Sequence, residues 1–278
     1  MKGKAVAIIA VLLLASACTD QEEERTARVS TEKLTVGAQK EVFSREAVDW
    51  SDFERMPLEW GEKVTGVKNR LDTTDQVVAL TFDACGGEHG EEVDIDLLDF
   101  LRAHEIKATL FLNERWIKAN ESLFAELAED PLFELANHGS EHKPLSVSGE
   151  SAWGIEGTDS VSAVVQEVQA NQETMKERTG EEAAYFRSGT AYYDEVAVEI
   201  TEALGLEVVN YSLLGDAGAT FSASQVEKAL LIAQPGDIAL LHMNRPQSGT
   251  GRGVQEAIPQ LETQGFSFAH LSGYALIP

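Results

Sequence analysis

With 278 residues, 43% of them apolar, the chain is long enough to bury one sizeable core, and its composition rules out a collagen-like, wholly disordered or membrane-bundle protein. A formal net charge of −25 argues against direct binding to DNA, RNA or anionic lipid headgroups, all of which such a surface repels, and reads as solubility in a salty exterior.

Lys2 and Lys4 open the chain, an apolar run follows from Ala5 to Leu14, and Ala15, Ser16 and Ala17 lead into Cys18. A bilayer-spanning helix needs roughly 20 apolar residues, so residues 1–17 read as a signal peptide. Two processing routes fit. Ala15-Ser16-Ala17 suits ordinary signal peptidase, and a cysteine directly after small residues resembles a lipobox, although Ala15 stands where leucine is commoner. The position of Cys18 favours the second, giving an exported lipoprotein of the bacterial cell envelope held to the membrane by a lipid on Cys18; the alternative is a secreted or periplasmic protein. Removal of residues 1–17 takes away two lysines and no acid, leaving 20 of the 22 basic residues against 47 acidic ones. The chain has two cysteines, so lipidation of Cys18 leaves Cys85 without a partner, and no disulfide is expected.

Residues 18–45 are polar and poor in aromatics, beginning Asp20-Gln21-Glu22-Glu23-Glu24, and read as a flexible tether. Trp50, Phe53, Trp60 and Val64 bring packing residues, so the domain proper is expected over 46–278. No repeat of fixed period is present. Short apolar runs then alternate with amphipathic segments. The strand candidates are Val77–Phe82, Ala108–Leu112, Phe133–Ala136, Ala184–Arg187, Glu207–Asn210, Ile238–Leu241 and Phe266–Ala269. Helical spacing appears at Ile95, Leu97, Leu98 and Leu101, at Leu123, Phe124 and Leu127, and at Val161, Val164, Val165 and Val168. Asp194 is placed to open one helix, and Ser222 or Ser224 another running through Ile232. Strand–helix alternation means an α/β fold with a parallel sheet and right-handed crossovers. The count of strands fits a single distorted, incomplete (β/α) barrel of about seven parallel strands, though pattern alone leaves a doubly wound open sheet in play.

In such a barrel the chemistry sits at the carboxyl ends of the strands. Thr81-Phe82-Asp83 runs into Ala84-Cys85-Gly86-Gly87, exposing a carboxylate beside paired glycines, which otherwise mark a simple turn. Asn137-His138 continues as Gly139-Ser140-Glu141-His142, and two histidines four apart on a turn or helical start can grip one divalent ion. Phe186-Arg187 offers a guanidinium to a carboxylate or a sugar oxygen. Leu240-Leu241-His242 places a histidine where a general acid belongs, or where a hydrogen-bonded core histidine would sit. His89 also follows a strand end, whereas His104 and His270 read as surface or packing residues.

The order of these motifs resembles the polysaccharide deacetylase family (carbohydrate esterase family 4) over roughly Val77 to His270, with Trp60–Thr73 as a lead-in. The resemblance implies metal-assisted hydrolysis that removes acetyl groups from an N-acetylated glycan. It casts Asp83 as the base that activates the attacking water, and His138 and His142 as ligands of a divalent metal, zinc or a similar ion. His242 becomes the acid for the leaving nitrogen, Arg187 the group that keeps Asp83 ionised and aligned, and Asp216 the partner that orients His242.

Three departures from the family pattern mark an atypical subfamily: Ala84 stands in place of a second, metal-binding aspartate, Gly189-Thr190 in place of proline and an aromatic, and Met243 in place of an aspartate. Asp83 itself, Glu88, His89 or a Cys85 thiolate is then needed to complete the metal site. Failing all of these, the protein is an impaired deacetylase fold that only binds glycan. Ser248-Gly249-Thr250-Gly251-Arg252-Gly253 reads as a flexible active-site loop or, less simply, an anion cradle. Trp116, Trp153, Tyr192 and Tyr193 are candidates either for stacking on sugar rings or for packing.

Overall fold

The computed structural model describes residues 48–278. The expected signal peptide, Cys18 and the tether lie outside the described residues. After a short 3-10 turn at Trp50–Phe53 come β1 (Trp60–Gly61) and β2 (Arg70–Leu71), which form a lead-in to the sheet. Strand β3 (Val77–Ala84) is buried at every position, as a strand covered on both faces must be. Val78, Leu80, Phe82 and Ala84 join the apolar layer under the helices, whereas Val77 and Ala79 join a second cluster on the concave side of the sheet. Thr81 and Asp83 therefore continue the concave row, because side chains alternate along a strand.

Downstream lie α1 (Ile95–Ala103), β4 (Ala108–Leu112), α2 (Glu114–Ala119), α3 (Glu121–Glu129), β5 (Phe133–Asn137) and α4 (Val161–Thr179). They are followed by β6 (Tyr185–Phe186), β7 (Tyr193–Asp194), α5 (Glu195–Ala203), β8 (Glu207–Val208), β9 (Leu213–Leu214) and α6 (Ala223–Leu230). The last elements are β10 (Ile238–His242), α7 (Thr250–Thr263), β11 (Ser267–Phe268) and β12 (Leu276–Ile277). Neighbouring strands run in the order β8-β6-β5-β4-β3-β10-β9, with β11 beside the start of β3, and every pair in this sheet is parallel.

This path of seven strands curls into a half-barrel whose concave side encloses Val77, Ala79, Phe111, Ala136, Tyr185, Val209 and Ile238. The doubly wound alternative is thereby set aside. Each strand expected from the sequence is present, most of them shifted by a residue or two at an end. Strands β1, β2, β7, β9 and β12 are additional, and at two residues each they are too short to show a period.

Helix starts follow their capping chemistry. Asp94, Asn113, Ser160 and Asp194 each accept a hydrogen bond from a backbone N–H in the first turn of α1, α2, α4 and α5. Helix α6 begins after Ser222, whose N–H donates to the Gln225 side chain at 2.9 Å, and stops at Leu230, leaving Ile232 exposed. The expected loop at 248–253 is instead the first turn of α7 from Thr250 onward. A Cβ on Gly253 would lie 2.5 Å from Cβ of Val226, so glycine there lets α7 seat directly on α6.

Candidate active site

Parallel register brings the four motif-bearing strand ends to one edge of the sheet. His242 of β10 pairs with Asp83 of β3, while Asn137, which precedes His138, pairs with Leu112 of β4 and Phe186 of β6, which precedes Arg187. Arg187 is completely buried and is satisfied on all sides. Its guanidinium donates to Oδ1 of Asp83 at 2.8 Å, to Oγ1 of Thr81 at 2.9 Å, and to the carbonyls of Val209 and Asn210 at 3.2 and 2.8 Å. It also lies over the Phe111 ring at 4.0 Å. One carboxylate oxygen of Asp83 is thus held by a buried cation, and the other, Oδ2, faces Nε2 of His138 at 3.6 Å.

His138 is buried and its orientation is fixed. Nδ1 donates to the Arg187 carbonyl at 2.9 Å, which leaves Nε2 as the lone-pair nitrogen, and that nitrogen lies 4.0 Å from Sγ of Cys85. The rings of His138 and His142 meet edge to face, 5.0 Å between centroids, on a turn rather than a helical start. Nε2 of His142 is buried with no hydrogen-bond partner. Among the described residues, Cys85, His138 and His142 form a group in which one donor atom from each lies within 4.8 Å of the others. Two imidazoles and a thiol are the donor types a borderline divalent ion takes, so the residues present fit a metal.

Burial pushes the Cys85 thiol up, but the surrounding imidazoles of His142, His138 and His242 outweigh it and hold the thiol well below its usual range. For His138, burial works against the charged form, and the Asp83 carboxylate with Cys85 more than reverses it, so the imidazole is raised.

The turn that carries His142 is held by groups the motifs do not contain. Glu167 of α4 is buried and accepts from Oγ of Ser140 at 2.8 Å and from the backbone N–H groups of Glu141 at 2.9 Å and Lys143 at 3.2 Å. Burial keeps its carboxyl above the usual range despite these donors. Asn113 donates to the carbonyls of His138 and Gly139, and Asn137 accepts from Gly139 N–H and from Asn171. The sequence does carry a signal for two of these residues: Glu167 and Asn171 fall on the inward stripe of α4 with Val164, Val168 and Met175, where polar side chains are out of place unless they have a buried task. Substitution Glu167→Gln keeps the volume and turns one acceptor into a donor facing backbone N–H groups. We expect it to weaken metal affinity by about 10- to 100-fold with the fold retained. Competition with a chromophoric chelator measures this, and an unchanged affinity would remove Glu167 from the support of His142.

His242 donates from Nδ1 to Oδ1 of Asp216 at 2.9 Å, leaving Nε2 to face the site. Oδ2 of the same carboxylate accepts from the His242 backbone N–H at 2.7 Å and from Oγ1 of Thr250 at 2.8 Å. Burial would push the His242 imidazolium down, but Asp216 and Cys85 overcome it and raise His242 well above the usual histidine range. The charge of His242 in turn lowers Asp216 against the effect of its own burial.

All six expected site residues therefore converge at one edge of the sheet. Glu88 and His89 do not join them: their side chains are 90% and 80% exposed and face each other at 3.5 Å. His104 packs on Phe100, and His270 hydrogen-bonds to the Leu132 carbonyl. The aromatic candidates divide. Trp116 is buried in the helix layer and Tyr193 is buried with its hydroxyl accepting from Ser188 N–H, so both are packing residues. Tyr192 lies between Trp60 and the 74% exposed Trp153. Gly189 passes so close to His142 that a Cβ would lie 2.3 Å from its carbonyl carbon, which explains why a proline has no place there.

A family model for polysaccharide deacetylase matches residues 70–209. A bifunctional xylanase/deacetylase from Pseudobutyrivibrio xylanivorans is 26% identical over 210 residues, which are 75% of this chain and 32% of that protein. The chain thus spans about a third of that relative's length. An uncharacterised 30.6 kDa protein of Geobacillus stearothermophilus is 25% identical over 223 residues, 77% of each chain. Among solved structures, a family 4 carbohydrate esterase pseudoenzyme from Bacillus anthracis superposes with a TM-score of 0.63 at 20% identity, over 76% of this chain and 69% of its own. The family 4 esterase PdaA of Bacillus subtilis gives 0.62 at 19%, over 80% and 97%. At such identities these structures show a shared fold.

Proposed function

This chain belongs to the polysaccharide deacetylase family, and from that premise we propose that it is a metal-dependent hydrolase removing N-acetyl groups from an N-acetylhexosamine-containing polysaccharide. The observation that supports the reading is that two proton-handling groups, Asp83 and His242, sit side by side on neighbouring strand ends at the edge that also carries His138 and His142. Asp83 is oriented by Arg187 and His242 by Asp216, each through a bond of 2.8–2.9 Å. A divalent ion on His138 and His142 would act as a Lewis acid that polarises the acetyl carbonyl. Asp83 takes a proton on Oδ2 from the attacking water, since Oδ1 is occupied by Arg187. His242, protonated on both nitrogens, gives the Nε2 proton to the amine as the C–N bond breaks, and acetate leaves. Asp216 and Arg187 touch no reacting atom and act as positioning residues.

The substrate's sugar rings have an aromatic edge to meet. Trp153 sits at the tip of the Ala152–Ile155 bridge with φ of 54°, a conformation that costs a non-glycine residue about 1–2 kcal/mol, and it presents its ring to solvent beside Tyr192. Tyr192 belongs to the segment that starts at Arg187, and its carbonyl accepts from Oγ of Ser188. For Trp153→Ala we expect KM for a polymeric substrate to rise about tenfold, the equivalent of about 1.4 kcal/mol, with kcat on a short acetamide unchanged. Equal KM values for polymer and fragment in the variant would detach Trp153 from substrate binding.

Such a polymer lies outside the cytoplasm, so the proposal carries with it the export and membrane attachment expected from residues 1–18. Acetate release from N-acetylglucosamine oligomers, peptidoglycan and acetylated xylan tests the reading. Release from the N-acetylated substrates, stopped by a chelator and restored by zinc or cobalt, is the expected result. Hydrolysis of O-acetyl xylan alone would make the protein an esterase, and glycan binding without any release would make it a non-catalytic member of the family.

A further inference from the structure

We infer that Cys85 is a metal ligand of this centre, binding as a thiolate and completing a Cys-His-His set. The inference rests on the metal-dependent reading above and identifies the third protein donor that Ala84 does not supply.

Position 84 points the wrong way to be the answer. Ala84 is fully buried in the helix-facing apolar layer with Leu80 and Phe82, so the strand turns that side chain away from Asp83. Cys85 is the next residue whose side chain returns to the side of Asp83. The chain is fixed there, because the Arg115 guanidinium donates to the Cys85 carbonyl at 3.2 Å while also bonding Oδ1 of Asn113. Sγ then lies 4.0 Å from Nε2 of His138, and all three donor atoms of the group fall within 4.8 Å. In a tetrahedral zinc site, bonds of about 2.3 Å to sulfur and 2.0–2.1 Å to nitrogen place donors roughly 3.5 Å apart, so small side-chain rotations close the set.

Both histidines are prepared for this role. Donation from Nδ1 of His138 to the Arg187 carbonyl leaves its Nε2 with a free lone pair, and Nε2 of His142 is a buried nitrogen with no other partner. The competing donors fit less well. Asp83 has Oδ1 tied to buried Arg187 and, although its Oδ2 lies 3.6 Å from Nε2 of His138, it falls outside the close group of Cys85, His138 and His142. Glu88 and His89 are exposed and turned to each other. Binding releases the thiol proton to solvent as the sulfur–metal bond forms. A thiolate in the set also favours zinc and cobalt over magnesium.

Cobalt(II) reads this directly. Titrated into the metal-free full chain, it should bind in one equivalent and develop a thiolate-to-cobalt charge-transfer band in the near ultraviolet. Cys85→Ala should abolish the band and weaken binding at least ~100-fold, whereas Cys85→Asp should recover affinity without the band. Cys18→Ala should retain the band. Cobalt bound by the native chain and lost in His138→Ala, but with no band or with one indifferent to Cys85→Ala, would overturn the inference and leave the metal-dependent reading standing. No cobalt binding at all would overturn both. If Cys85→Ala fails to fold, the presence or absence of the band in native protein and its survival in Cys18→Ala decide the matter.

Discussion

Replacing Asp83 with asparagine is expected to cut the rate of acetate release by about 10²–10⁴-fold, the range contributed by a positioned general base. Asparagine keeps an oxygen that can accept from the Arg187 guanidinium, so the geometry measured at 2.8 Å survives while the basic oxygen is gone. The cost in stability is a separate matter. Arg187 is fully buried, and removing its counter-charge exposes the penalty of an uncompensated buried ion, about 3–5 kcal/mol when nothing else compensates. Here Thr81, the Val209 and Asn210 carbonyls and the Phe111 face remain, which argues for the lower end of that range. Against a typical total of about 5–15 kcal/mol the variant should stay folded with a lower Tm. Single-turnover rates and thermal unfolding on the same preparation separate the two effects. A variant that keeps more than about a tenth of the native rate would remove Asp83 from the role of base.

The features that can be read from the sequence and those that cannot differ in physical kind. Strand ends are legible because a parallel sheet gathers them at one edge whatever its exact curl, so Asp83, His138, Arg187 and His242 can be placed together before any coordinate is known. Asp216 is legible only through the order of the motifs, since β9, the strand before it, is two residues long and has no period to detect. The choice among Cys85, Glu88 and His89 depends on the turn after β3, where Gly86 and Gly87 adopt positive φ and swing the following side chains outward. No periodicity contains that information. Glu167 is the instructive intermediate case: the stripe of α4 marks it as inward-facing, but only the fold shows that its carboxylate meets the turn carrying His142. Trp116 shows the opposite failure, an aromatic available on paper to a sugar and in fact buried under the helix layer.

The second large effect is expected at Asp216, which reaches no substrate atom. Asp216→Asn should lower kcat by about 10²-fold or more and move the alkaline limb of the pH–rate profile to lower pH. In the native protein burial alone would drive His242 to its neutral form, and the Asp216 charge is the main force that reverses this. The acid therefore stays protonated well above the ordinary histidine range. With asparagine at 216 the burial effect prevails, and His242 loses its proton at a pH where the native enzyme still works. The amide also cannot accept from Nδ1–H of His242, its backbone N–H and Thr250 together with two oxygens, so orientation suffers as well. Stability should follow the same linkage. His242 is raised, so its pairing supports the fold fully below the ordinary histidine value and is lost as pH rises through the raised one. Asp216 is lowered, so its share is present above the ordinary aspartate value and lost as pH falls through the lowered one. The native protein should accordingly be more stable than the variant across neutral pH, with the two converging in strong acid and strong base. A rate loss of the same size at every pH, with the alkaline limb unmoved, would mean that Asp216 only packs against His242. A limb that moves to lower pH would show that its charge sets the proton affinity of the acid.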